Sequence, residues 1–454
     1  MPMEKKGKQQ DGKEYVLKMA REHNVKFVEL WFTDILGQLK SYAIPVSELE
    51  GAIDNGLGFD GSSVQGYARI DESDMMSVPD LDTFQLLPWR PREDVCLARM
   101  ICDIYNPDKT PFEGDPRYIL KKNLKKATEM GFTFYVCPEL EYFYFKKDAD
   151  GNPTTEGTDE GGYYDMTLRD AASEIRNETV LALEEMGIGI DKSHHEVAAS
   201  QHEIDMRYTD ALTMADQVMT YRLVVKEIAD KHGWYATFMP KPRFGINGSG
   251  MHVHQSLFKS GKNAFYDKNG IFSLSRLAQS YLAGLLKYAP EFTAITNQWV
   301  NSYKRLVPGY EAPVYLSWAI RNRSDLLRVP GYEPGKESAT RFEIRSPDPA
   351  CNPYLCFSVL LAAGLQGIEE NLEPPPPAQG NVYHMTPEQR KKLGIGTLPG
   401  NLGQALQLME KSKLVKKALG DHTFEIFLAN KQKEWDNFRI YVTDYEIKEY
   451  LPIL

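Results

Sequence analysis

The chain has 454 residues, too many for one typical core, and predicts about two or three domains. Its 42% hydrophobic and 26% charged residues describe a globular protein, and a net charge of -10 argues against a nucleic-acid or membrane surface, either of which would reward a basic patch. The five cysteines, Cys96, Cys102, Cys137, Cys351 and Cys356, are odd in number and lack CxxC spacing, which argues against a disulfide framework or a zinc knuckle and favours a reducing cytoplasm. No signal peptide or membrane span is expected, because the start is rich in Lys and Gln and the longest apolar stretch, 357–368, is interrupted by polar residues and glycines.

In chain order, a frayed polar tail precedes a short amphipathic helix over 13–23, and residues 25–44 alternate as a hairpin turning at Ile35-Leu36-Gly37. A helical piece at 47–54 leads into a loop, 56–66, whose glycines permit positive φ or close backbone approach and whose polar tips are Asp60 and Ser63. It also reads as an ordinary surface loop. Strands near 84–87 and 95–105 complete a small α+β unit, with a boundary in the Pro- and Gly-rich stretch 106–114. The next unit opens on a helix capped by Asp115, with Pro116 at N1 and Gly131 at C′.

The strand that follows carries Glu139 and Glu141 on one face, with Leu140 and Tyr142 on the other. Adjacent carboxylates repel, so either water covers that face or a cation sits on it. Past a polar loop at 150–162 and a helix at 168–186, Glu196 and Glu203 stand seven apart, which fits one helix face or the two arms of a hairpin. A long helix at 214–231 precedes Asn247-Gly248-Ser249-Gly250, after which strand alternation puts His252, His254 and Ser256 on one face. No Gly-Lys-Ser/Thr follows, so this is not a Walker loop.

A helix at 274–288 leads to the richest basic region of an acidic chain: Lys304 and Arg305, Arg321, Arg323 and Arg328, then Arg341, Glu343 and Arg345 alternating along a strand. Pro308-Gly309 and Ala312-Pro313 punctuate a loop around Glu311 that fits a lid or a rigid turn. Helices at 353–367, 402–419 and 422–441 finish the chain, and its end, 445–454, reads as an oligomer contact or a packed tail. Five carboxylates with His252 beside an arginine cluster call for Mg²⁺ or Mn²⁺ and suit phosphoryl transfer, whose transition state spreads negative charge over oxygens.

The segments FDGSS (59–63), PELEYF (138–143), HHEVA and SQHEID (194–205), NGSGMH (247–252), NSYKRLVPGYEAPV (301–314), RNRS (321–324) and RFEIRSPDPACNPY (341–354) resemble type I glutamine synthetases, in the family's order. The resemblance implies an α+β protein with a small N-terminal β-grasp-like domain (13–106) and a large catalytic domain (107–454) built on a curved, mainly antiparallel sheet flanked by helices. It implies a cytoplasmic ligase joining ammonium to the γ-carboxylate of L-glutamate through γ-glutamyl phosphate at the expense of ATP. Glu141, Glu196 and Glu203 would hold one divalent cation, and Glu139, His252 and Glu343 another. Asn247, Gly248, Arg305 and Arg345 would bind glutamate. Asp191, His254, Ser256, Arg323, Arg328 and Arg341 would bind ATP, with Arg323 and Arg341 also catalytic. Asp60, Ser63, Tyr163 and Glu196 would form the ammonium site, with Asp60 taking the proton and Glu311 closing the lid.

The family further implies a dodecamer of two hexameric rings, in which one subunit's N-terminal domain completes its neighbour's site, and a nitrogen-regulatory protein as partner. Asn371-Leu372-Glu373-Pro374 lacks the tyrosine of adenylylated relatives, while Arg69 resembles the glutamine-sensing residue of short, feedback-inhibited ones. The stretch 331–338 is longer than in the relatives compared, which bears on loop geometry near the arginines.

Overall fold

The computed structural model describes residues 2–64, 73–89, 95–166, 172–310, 312–331 and 333–454, without the side chains of 2–10. Arg69 and Glu311 lie outside the described residues.

The first helix, α1 (Pro2–Glu22), begins well before the expected start at 13. Lys and Gln are good helix formers, so a polar tail can continue the helix without burial. Strands β1 (Val25–Thr33) and β2 (Leu39–Pro45) form the expected hairpin, followed by α2 (Leu49–Asn55). The glycine-rich segment is not wholly a loop. Leu57–Asp60 forms strand β3, paired antiparallel with β4 (Asp74–Pro79), and the sequence reading missed both strands. Leu57 and Phe59 pack against the core, and this burial offsets the entropic cost of strand glycine. With β5 (Gln85–Leu86) and β6 (Cys96–Tyr105) the sheet runs β2-β1-β6-β4-β3, and β1 and β6 are parallel.

Helix α3 (Pro116–Glu129) starts and stops where its caps predict, with the Asp115 side chain accepting from Arg117 N and Gly131 at φ 85°. The axis of the second sheet is β7 (Thr133–Lys147). It pairs with β8 (Pro153–Gly157), β10 (Gln201–Met206), β11 (Thr209–Asp210), β12 (Trp234–Thr237) and β13 (Met251–Lys259). Beyond these lie β9 (Ile190–His195) on β10, β14 (Lys262–Asn263) on β13, and an edge of β15 (Trp318–Ile320), β16 (Leu327–Val329) and β17 (Phe342–Ile344). Among the described residues every pairing here is antiparallel except β15 with β16.

Glu196 and Glu203 thus sit on a hairpin, Glu203 in β10 and Glu196 just after β9, with Ser200 at φ 65° in the turn. One face of β7 sends Leu140, Tyr142 and Tyr144 into the core beneath α5 (Ala211–Lys231), each side chain fully buried and worth about 1.5–3 kcal/mol by area. That burial leaves Glu139 and Glu141 on the other face. Flanking helices include α4 (Ser173–Glu185), α6 (Arg276–Thr296), α7 (Ser302–Arg305) and α8 (Pro353–Glu369). Helix α6 runs through Pro290 instead of stopping near 288, its end held by buried Phe292 and Ile295. Its crossing with α8 brings Gly284 against Gly367, where a Cβ on either would meet backbone atoms within 3 Å. The expected helix over 402–419 is two, α10 (Leu402–Glu410) and α11 (Lys413–Leu419), after the short α9 (Pro387–Lys392). Ser412 makes the break by accepting from Val415 N as an N-cap. Helices α12 (Asp421–Arg439) and α13 (Asp444–Tyr450) end the chain. No helix among the described residues is long and apolar enough to cross a membrane, and all five cysteines are free.

Arg117 joins the two units. From α3 it meets Asp216 of α5 through Nε at 3.0 Å and Nη2 at 2.8 Å, and it reaches Asp80 and Asp103 of the N-terminal sheet. Its side chain is 4% exposed, so truncation takes the buried Asp216 carboxylate's only cationic partner among the described residues and leaves it with the Tyr354 hydroxyl, while Asp80 and Asp103 keep Lys121. Arg117→Met is expected to lose about 3–5 kcal/mol of stability. Urea denaturation checks this, and an unchanged midpoint would contradict the role.

Candidate active site

The register of β7 assembles the site. His252 lies directly across from Glu139, Glu203 across from Glu141, and Glu343 on β17 across from His254. One atom each from Glu139, His252 and Glu343 falls within 4.8 Å of the others. Glu343 is fully buried between Arg328, which donates to Oε2, and Arg345, which donates to Oε1. Burial alone would raise its pKa, but His254, Arg345, His252 and Arg328 bring it down to about 2. Glu139 is likewise held well below its usual range in spite of burial, by His254 and His252. His254 Nδ1 accepts from Arg341 Nε at 3.1 Å, which leaves its Nε2–H to donate to Glu139 Oε1 at 3.0 Å.

A second cluster joins Glu196 and Glu203 with His194, a residue the sequence reading left without a role. His194 Nδ1 lies 3.2 Å from the His195 carbonyl and donates to it, so the Nε2 lone pair faces Glu203 Oε1 at 3.2 Å. Lone pair against carboxylate is repulsive unless a proton or a cation stands between them. Burial pushes Glu203 well up, and Asp205, Glu139, Glu196 and Glu141 add to it. A divalent cation relieves this crowding, and the donor set of hard carboxylates with one imidazole per cluster suits Mg²⁺ or Mn²⁺. Glu141 lies directly across from Glu203 and lines the same cavity wall as Glu196 and Glu203. Its Oε2 accepts from Gln201 Nε2 at 2.9 Å and Gly250 N at 2.8 Å, while Oε1 lies 3.9 Å from His252 Nε2.

Both clusters open into a cavity of 590 Å³, whose wall includes Glu139, Glu141, Glu196, Glu203, His252, Arg323, Arg328, Glu343 and Arg345. Tyr163 lines it too, its hydroxyl bonded to Arg323, with Tyr164 tilted against both it and His194 at centroid distances of 4.2 and 4.7 Å. A small recess beside it is lined by Asn247, Gly248, Arg305 and Arg345. Buried Arg305 is pinned by the carbonyls of Ser346, Pro347 and Arg345, and a Cβ on Gly250 would come 2.5 Å from its Nη2, so only glycine fits there. A second cavity, of 490 Å³, collects Asp191, His254, Ser256 and Arg341 with Glu139 and Lys192.

Behind the Glu196 turn, Asp159 accepts from Ser200 N at 2.9 Å and from His195 Nε2 at 2.8 Å, and His195 Nδ1 donates to the Glu196 carbonyl at 2.7 Å. This ties the loop bearing Tyr163 to the carboxylate hairpin. Asp159, His195 and His202 also lie close enough for a metal, but His202 Nδ1 accepts from Arg176, so its Nε2 carries the proton and cannot ligate.

Asp60 and Ser63 line neither cavity. They sit at the exposed edge of the N-terminal sheet, where Asp60 accepts from the Ser62 and Ser63 hydroxyls at 2.6 Å each. His194, Lys192 and Asp159 are the site features the sequence reading missed. The SHH and TDEGG strings held a signal only once cross-strand partners were known.

Residues 24–107 match the family described as the glutamine synthetase β-grasp domain, and residues 113–450 its catalytic domain. The chain is 53% identical over 442 residues to a glutamine synthetase of Methanosarcina mazei, covering 97% of this chain and 98% of that one. It is 52% identical to one of Clostridium saccharobutylicum, with 97% and 98% covered. The cryo-EM structure of Plasmodium falciparum glutamine synthetase superposes with a TM-score of 0.86 at 25% identity, over 97% of this chain and 98% of that one. A β-grasp sheet docked on a curved sheet with two carboxylate clusters, matched in both domains and along nearly the whole length, places this chain in the glutamine synthetase family, and its length fits the short type I form.

Proposed function

We infer that the larger cavity is where glutamate and ammonium meet and that the second holds the nucleotide. The reaction is ATP-dependent ligation of ammonium to L-glutamate, giving L-glutamine, ADP and phosphate. The observation that carries the division is that an arginine-rich cavity and a separate one share the wall at Glu139. Arg305, Asn247, Gly248 and Arg345 are the glutamate-binding residues, and Asp191, His254, Ser256 and Arg341 flank the nucleotide. Divalent cations at the two clusters would neutralise the carboxylates and the crowded phosphoryl oxygens; His194 joins Glu196 and Glu203 in the first set, with Glu141 beside it, and Glu139, His252 and Glu343 make the second.

The γ-carboxylate of glutamate attacks the terminal phosphorus, with Arg323 and Arg328 facing the charge that develops there. Ammonium, attracted by Tyr163, Glu196 and an anionic Asp60, then gives a proton to Asp60 and attacks the γ-carbonyl carbon of the acyl phosphate, whose carbon–oxygen bond breaks to release phosphate. Because Asp60 and Ser63 line neither of these two cavities, we infer that they sit over the site of a neighbouring subunit in a ring. Glu311 is the proposed lid.

Phosphate release measured with ATP, glutamate, ammonium and cation each left out in turn tests the assignment. Full release is expected only with all four present, and Mg²⁺ or Mn²⁺ at about 100 times its dissociation constant is expected to add about 2.7 kcal/mol of stability that a chelator removes. Release that ignores ammonium or glutamate would contradict it.

A further inference from the structure

Two side chains, Glu139 and Lys192, line both cavities. A triphosphate with its adenosine in one cavity and its terminal phosphorus in the other must pass between them. Glu139 belongs to a cation cluster. Lys192 is the other wall, and no role has been given to it.

Lys192 lies on β9 directly across from Asp205 on β10, and the two side chains form an ion pair. Asp205 is 4% exposed, lines the second cavity, and keeps one oxygen, Oδ1, without a hydrogen-bond partner. The lysine side chain is 43% exposed, so its ammonium is within reach of the throat. Three arginines of the cavity walls are already engaged. Arg341 donates to His254 and to the Ala339 carbonyl, while Arg328 and Arg345 both hold Glu343. Lys192 hangs on a flexible stem from a single partner that lines the second cavity, and it is the cation that lines both.

We propose that Lys192 binds the β-phosphate side of the triphosphate at the throat between the cavities and stabilises the ADP leaving group. In the transfer, a glutamate γ-carboxylate oxygen bonds to the γ-phosphorus while the bond to the β–γ bridging oxygen breaks and its electron pair stays on ADP. The lysine keeps its proton throughout. Its contribution is electrostatic, largest where charge gathers on the bridging oxygen. Asp205 holds the ammonium aside when the throat is empty, and a rotamer change carries it to the phosphate. The inference rests on the second cavity being the nucleotide site.

Calorimetric titration of the full-length protein, in Mg²⁺, with ADP and with AMP separates the possibilities, using Lys192→Met and Lys192→Arg beside the parent. Lys192→Met is expected to bind ADP about tenfold more weakly, the size of a charge-assisted hydrogen bond, and AMP as the parent does, because AMP has no β-phosphate. Its KM for ATP should rise while KM for glutamate holds, and Lys192→Arg should recover most of the loss. Unchanged ADP affinity in Lys192→Met, or equal loss of ADP and AMP, would overturn the proposal and leave the cavity assignment standing. A parent that binds no adenine nucleotide would sink the cavity assignment and this inference together.

Discussion

Asp60→Ala is expected to lower glutamine formation by about 10²–10⁴-fold, the usual contribution of a positioned proton acceptor, while folding and ATP binding survive. The local structure explains both halves. Asp60 is exposed at a sheet edge, and among the described residues its carboxylate accepts hydrogen bonds only from Ser62 and Ser63, so neither core depends on that side chain. The same serine hydroxyls hold its carboxyl below the ordinary aspartate range, with Ser62 the larger influence, so it is anionic at neutral pH and suited to attract ammonium. Glutamine production measured beside ADP binding and thermal unfolding checks the split. Activity near that of the parent would remove Asp60 from the mechanism. Because the reading puts Asp60 over a neighbour's cavity, chains carrying Asp60→Ala should regain activity when assembled with chains disabled at Glu343. Failure of any mixture to recover would argue for sites built within one chain.

Glu343→Gln should cost both activity and stability. The carboxylate is fully buried, and each oxygen accepts from a different arginine. An amide offers one acceptor and one donor, so either Arg328 or Arg345 must face an NH₂ group of its own kind. Breaking one arm of a buried ion pair costs about 3–5 kcal/mol, and losing a preorganised charge at the reacting phosphoryl group lowers turnover about 10²–10³-fold. Phosphate release and the urea midpoint should fall together. A variant with the parent's midpoint and turnover would show that the arginines are satisfied elsewhere and that Glu343 holds no cation.

The capped helix α3 was legible because its signals are local: Asp115, Pro116 and Gly131 act through their own backbone neighbourhood. The same holds for His252, His254 and Ser256, whose common face follows from strand alternation alone. Strand β3 was not legible, because its glycines argue for a loop and only the burial of Leu57 and Phe59 against distant residues decides otherwise. The hairpin of Glu196 and Glu203 stayed ambiguous for a related reason, since seven residues fit two geometries and the partner strand makes the choice. His194 and Lys192 escaped notice because their importance lies in what stands opposite, Glu203 and Asp205, and register is a property of the folded sheet. The roles that the family resemblance supplied exceeded what spacing alone could give, above all the assignment of Asp60, which lines neither cavity of its own chain.

The central position of β7 also bears on how the molecule is made. Its acidic face meets His252 through β13 and Glu343 through a strand beyond that, so a chain emerging from the ribosome carries Glu139 and Glu141 long before their partners exist. Such non-local pairing is slow, and until it closes, the carboxylates oppose compaction by mutual repulsion. A cation can bind tightly at the cluster of Glu139, His252 and Glu343 only after β17 has been synthesised and seated. Cation binding there therefore acts as a seal on a completed sheet, and chains truncated before Glu343 should not hold the metal at that cluster.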